Sequence, residues 1–168
     1  MTEILPSIWS TIVGEFSDIP DASEATRIVL RLSMALLLGA AIGYERERRG
    51  KDAGLRTHML VSLGAAIFVL VPLQSGMELS DVSRVLQGII SGIGFLGAGA
   101  IIKLDRDREI LGLTTAASIW VAAGIGIAAG MGRESTAVVS TIAALFILVV
   151  LAPAEHKTPT TDGLTQRK

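Results

Sequence analysis

The residues best suited to chemistry fall in two short stretches 58 positions apart. Glu45, Arg46, Arg56 and Thr57 form the first, and Thr114 and Thr115 the second. Each stretch stands at the start of an apolar run, so its hydroxyls and cations meet a helix N-terminus. Free N–H groups and partial positive charge there favour an anion: a phosphate, a lipid head group or a partner's carboxylate. A second arrangement stays open, in which Glu45 pairs with Arg56 across the turn and simply locks it. Asp105, Asp107 and Glu109 have the chemistry of magnesium ligands, but Arg106 and Arg108 interleave with them and an ordinary charged turn is expected. No metal site is therefore assigned. His58 and His156 have no evident nucleophile or carboxylate partner. Cysteine is absent, which excludes disulfides, zinc–thiolate sites and a thiol nucleophile. The pattern contains no Gly-rich phosphate loop and no nucleic-acid reader. The expectation is a binding protein with no cofactor, not an enzyme.

The elements that must hold these residues are membrane helices. Of 168 residues, 50% are hydrophobic and only 4% aromatic, with 18 glycines among the Leu, Ile, Val and Ala. That mixture suits close helix packing in lipid. Five candidate spans run over 28–44, 57–73, 85–102, 111–131 and 136–152, each close to the ~20 residues needed to cross the hydrocarbon. Asp21 with Glu24 reads as a capping box ahead of the first, and Ser80 as the N-cap of the third. Thr57 and Thr115 would cap the second and fourth, and Pro153 ends the fifth. The division is an N-terminal segment over 1–26, a five-span domain over 27–153 and a polar tail over 154–168. Apolar residues from Ile4 to Phe16 recur at helical spacing; they form either a surface helix on the outer leaflet, the favoured reading, or a short segment packed on the bundle. Arg31, one turn inside the first span, is expected to snorkel outward.

Glycines mark the expected helix contacts. Gly39 and Gly43 share a face of the first span; Gly88, Gly92 and Gly99 share one of the third, with Gly94 and Gly97 nearby. Close packing is the expectation, within the protein or against a partner; a flexible, ion-lining third span is the alternative. A transporter would need oxygen ligands near the midplane. No Asp or Glu lies mid-span, and the candidates are Gln87, Ser62, Ser91 and Ser118. An ungapped shift of 58 also aligns Ser33–Ile67 with Ser91–Ile125 at ten identities in 35 positions, including Gly54-Leu55-x-Thr57 on Gly112-Leu113-x-Thr115. Such a parallel repeat would pair spans 1–2 with 3–4 about an axis along the membrane normal and leave the fifth span over.

The stretches LLLGAAIGYERERRGKDAGLRTHMLVSLGAA, RVLQGIISGIGFLGAGAIIK and GLTTAASIWVAAGIGIAAG resemble the MgtC/SapB family of bacterial membrane proteins, over roughly Arg27 to Ala152. The resemblance implies a multi-pass protein of the cytoplasmic (inner) membrane, tied to growth at low magnesium and, in pathogens, to virulence. It further implies a regulator that binds other membrane proteins, the ATP synthase among them, or lipids, and that forms a homo-oligomer. A transporter or channel for magnesium is the alternative. Better-known members carry an ACT-like C-terminal domain. Here the chain stops at Lys168, and it reads as a minimal form.

Charge sets the expected orientation. The Tyr44–Thr57 connection carries five Lys/Arg, the Lys103–Ile110 connection three and the tail three, against Arg27, Arg84 and Arg133 opposite. Positive residues stay cytoplasmic, which gives N-terminus out and C-terminus in. Reporters fused after Arg49 and after Lys168 should therefore be cytoplasmic, and one after Ser75 external. A periplasmic C-terminus would overturn the five-span arrangement.

Overall fold

The computed structural model describes residues 4–17, 19, 21–101 and 112–151. Among these the chain is all-α. The helices are α1 (Ile4–Glu15), α2 (Ala22–Arg48), α3 (Leu55–Gln74), α4 (Leu79–Ile101), α5 (Leu113–Gly130) and α6 (Glu134–Val150). Helices α2 to α5 are each long and apolar enough to cross a bilayer, and α6 is an apolar helix of 17 residues. The turn over 103–110, with its three carboxylates, and Pro153 lie outside the described residues.

Local chemistry explains most helix ends. Asp21 caps α2 through a 2.8 Å bond from the Glu24 N–H. The expected box is half-formed, because the Glu24 carboxylate turns to Arg27 at 2.7 Å. Three caps differ from the sequence reading. α3 and α5 start at Gly54 and Gly112, which puts Thr57 and Thr115 inside the first turn rather than at the cap. Ser80 likewise lies inside α4, whose first turn closes on the Glu78 carbonyl instead. α5 ends at Gly132, in the left-handed region at φ 71°, with the Arg133 N–H reaching back to the Ala128 carbonyl at 2.8 Å. Any side chain there would also run into the Arg31 guanidinium. Arg31 does not snorkel: it is half-buried and donates to the Gly130 carbonyl at 3.3 Å, neutralising the negative end of α5.

α3 and α5 form the centre. They touch each other, and each also packs on both α2 and α4, while α2 and α4 do not meet. Exchanging the α2–α3 pair for α4–α5 leaves these neighbour relations unchanged, as a parallel repeat requires. The hairpins meet at matching positions, the first more tightly than the second. A methyl at Gly39 would stand 2.8 Å from the His58 carbonyl, and one at Gly97 3.7 Å from Ala116 Cβ, the matching position. α6 covers α2 and α5 on one side. α1 packs on no other helix, and its apolar residues, Trp9 and Phe16 among them, are exposed; that removes the bundle-packed alternative among the described residues.

Contact in lipid comes from shape, since tails are as apolar as leucine. The core is accordingly built from small residues: Ala35, Ala65, Ala66, Ala122, Ala123 and Ala129 are buried, while Phe95, Phe146 and Trp120 face outward. The glycines divide sharply. Cβ atoms at Gly43 and Gly130 would stand 2.7 Å from Leu55 Cα and 2.6 Å from the Ala66 carbonyl. By contrast a Cβ at Gly88, Gly92, Gly94 or Gly99 would meet nothing within 4 Å, so among the described residues these four glycines do not serve close helix packing. Gly130→Leu should therefore cost more than the ~1–3 kcal/mol of ordinary overpacking and abolish a monodisperse preparation, whereas Gly92→Leu should fold and melt like wild type. Equal melting temperatures for the two variants in detergent would contradict this division.

Candidate functional site

The end of α2, the first turns of α3 and α5 and the end of α6 meet at the basic turn. Buried there are Glu45 (9% exposed), Arg46 (2%), His58 (0%), Thr115 (3%) and Ser118 (4%). Glu45 takes a hydrogen bond from Arg46 Nη1 at 3.4 Å and a very short one from Arg49 Nε. Arg49 also donates to the Val149 carbonyl at 3.4 Å, tying the last turn of α6 to the corner.

Arg46 departs from ordinary burial. Its Nε and Nη2 are shielded and have no hydrogen-bond partner among the described residues. A buried donor left unpaired costs about 1–3 kcal/mol, more when charged. Ser62 Oγ, one turn beyond His58 on α3, is also buried and unpaired. His58 bridges two helices: Nδ1 lies 2.8 Å from the Gly54 carbonyl and Nε2 3.0 Å from Ser118 Oγ. A carbonyl only accepts, so Nδ1 carries the proton. Ser118 Oγ donates to the Thr115 carbonyl at 2.8 Å, so its single hydroxyl hydrogen is shared between that carbonyl and His58 Nε2 when the ring is neutral. Glu45 and Arg46 lie close enough to act electrostatically on this ring.

The expected site is thus partly assembled and partly redistributed. Glu45, Arg46 and Thr115 converge, and Thr57 and Thr114 lie half-buried in the first turns of α3 and α5. Arg56 is exposed, and Glu45 pairs with Arg46 and Arg49 instead of Arg56. The hairpin lock across the turn is therefore not the one expected. The α3 N-terminus also has an occupant, since the Glu47 carboxylate accepts from the Leu55 N–H at 2.8 Å. By sequence His58 had no evident partner, because those it has are a backbone carbonyl and a serine 60 residues away; its place in the first turn of a span was the available signal.

A family model described as MgtC family matches residues 32–157. The chain belongs to the MgtC family. It is 41% identical over 129 residues to Protein SrpB of Synechococcus elongatus, covering 70% of this chain and 71% of that one. It is 40% identical to the Putative magnesium transporter YhiD of Escherichia coli (73% and 59%) and 42% identical to Protein MgtC of Salmonella typhimurium (77% and 54%). The matches thus span little more than half of the latter two relatives. No solved structure matches. As an MgtC family member with these helices, the chain is a multi-pass inner-membrane protein.

The pairing makes a ranked expectation. Glu45→Gln leaves Arg46 buried without its carboxylate and should cost about 3–5 kcal/mol. Arg49→Gln touches a pair 38% exposed on the arginine side and should cost about 1 kcal/mol or less. Glu45→Gln and Arg56→Leu should add independently. Unfolding in mixed micelles reads all three, and equal costs for Glu45→Gln and Arg49→Gln would sink the ranking.

Proposed function

We propose that the chain is a membrane regulator that binds other membrane proteins or lipids in adaptation to low magnesium, with no covalent step. The unpaired guanidinium N–H groups of buried Arg46 carry this reading. They offer an acceptor-bearing group two charge-assisted bonds in a low dielectric, where such bonds are strong. A phosphate or a partner's carboxylate fits; reaching these atoms requires a neighbouring side chain to move, which couples binding to the shape of the turn. The ATP synthase and a second copy of the chain enter as partners through the family alone.

The alternative is a magnesium transporter, favoured by the printed name of the E. coli relative. Against it stands the composition of the buried polar set: among the described residues it comprises Arg46, His58, Ser62, Thr115, Ser118 and Thr141 with one carboxylate, Glu45, that two arginines already hold. A dication seeks oxygen ligands and negative charge and is repelled by buried guanidinium.

Two measurements separate the readings. Wild-type protein in liposomes should pass magnesium to a trapped dye no faster than empty liposomes; a rate well above theirs would establish the transporter. In cells lacking the endogenous homologue, Arg46→Gln should lose at least tenfold in rescue of growth at low magnesium while accumulating normally in the membrane. Full rescue by Arg46→Gln would remove this corner as the working site.

A further inference from the structure

Between α3 and α4 lies an open groove of 710 Å³, lined by Leu60, Gly64, Phe68 and Pro72 on α3 and by residues such as Gly88 and Gly92 on α4. It holds almost no polar surface. By the exchange of hairpins it corresponds to the side of the bundle that α6 covers on α2 and α5; among the described residues no helix lies over it. The α3 residues recur every fourth position, and one turn further toward the basic end that series reaches Arg56. Arg56 is exposed and forms no ion pair among the described residues.

We propose that this groove is a binding site for an anionic phospholipid of the leaflet facing the basic turn, with one acyl chain laid along Leu60–Pro72 and the phosphate on Arg56. Three observations choose this occupant. The α3 wall from Leu60 to Pro72 covers 12 helical steps, about 18 Å at 1.5 Å per residue, which is near the ~15 Å of one leaflet and short of the ~30 Å that a crossing helix would occupy. The volume lies in the ~300–1,000 Å³ range of small-molecule sites. Charge complementarity orients the lipid: Arg56 stands at one mouth, while the start of α4 at the other brings exposed Glu78 and Asp81 against Arg84, a net negative set that repels a phosphate. Gly64, Gly88 and Gly92 leave the groove open, because a Cβ at each would meet nothing within 4 Å. The proposal narrows the lipid arm of the function above but uses a surface separate from the Arg46 corner. Its test is read as lipid retention rather than growth, so either can fail alone.

Purified full-length protein would be titrated with phosphatidylglycerol or phosphatidylcholine in detergent and bound lipid counted by native mass spectrometry. Wild type should hold one phosphatidylglycerol at least tenfold more tightly than phosphatidylcholine. Arg56→Gln should reduce that preference below twofold, and Arg48→Gln should leave it intact. Gly92→Leu, which fills the groove in open space, should weaken both lipids by tenfold or more. Equal retention of the two lipids by wild type, a preference that survives Arg56→Gln, or binding indifferent to Gly92→Leu would each overturn the proposal. So would displacement of phosphatidylglycerol by millimolar glycerol phosphate, which would leave a phosphate site without use of the groove. Because the chain has no cysteine, Phe68→Cys can report the groove in native membranes: labelling at the rate of a lipid-facing control supports a lipid occupant. Stoichiometric protection that yields a crosslink to a protein helix contradicts it.

Discussion

The bundle depends on one steric constraint, the backbone-to-backbone approach of α3 to its neighbours. Gly39 and Gly43 of α2 meet the first turns of α3 from one side, and Gly126 and Gly130 of α5 meet Ser62 and Ala66 from another. No apolar driving force acts between helices inside lipid, so dispersion and shape must supply cohesion. Removing Cβ at these four positions brings main chains together where leucines would hold them apart. The same approach fixes the register between α3 and α5. His58 can then reach Ser118 across the interface at 3.0 Å.

That register has a chemical consequence. Once α2, α3 and α5 are this close, polar residues at their basic ends leave water together. Glu45 is shared by Arg46 and Arg49, the His58 ring is held at both nitrogens, and the remaining Arg46 donors are left over. Among the described residues the buried cluster thus holds guanidinium donors in excess of the acceptors that meet them. Arg49 extends the cluster to the end of α6, so a change at the turn is felt by the helix that covers α2 and α5. The opposite flank has no such cover, and it is there that the apolar groove opens.

Much of this was legible in sequence. Span positions followed from apolar runs near 20 residues, and the corner followed from charges flanking them. The neighbour relations, which α2–α3 and α4–α5 share on exchange, agree with the repeat suggested by Gly54-Leu55-x-Thr57 and its copy. Contacts set by rotation about a helix axis were not legible. Gly39 and Gly92 carry the same small-residue pattern, yet one touches a carbonyl and the other faces open space, because α4 is turned so that only Val82 and Ile93 are buried. Pairing among neighbouring charges was equally hidden. Glu45 had Arg46, Arg49 and Arg56 within reach by sequence, and a difference of helix face gave it the first two. Glu47 went unread because its role, capping α3 across the turn, is set by loop geometry and not by spacing within a helix. Arg31 looked like an interfacial anchor until α5 brought its terminal carbonyl alongside.

The central proposal is that buried Arg46, whose Nε and Nη2 find no partner among the described residues, holds these donors for an acceptor from outside the chain. An experimental structure of the protein in nanodiscs of native lipid, resolved well enough to place side chains and waters at the turn, tests it most directly. The account predicts Arg46 inside the α2–α3–α5 corner, with Nε and Nη2 within about 3 Å of an oxygen from a phosphate or a partner's carboxylate. An Arg46 side chain swung out to the interface, or one whose Nε and Nη2 are both satisfied by this chain's own groups, would contradict it.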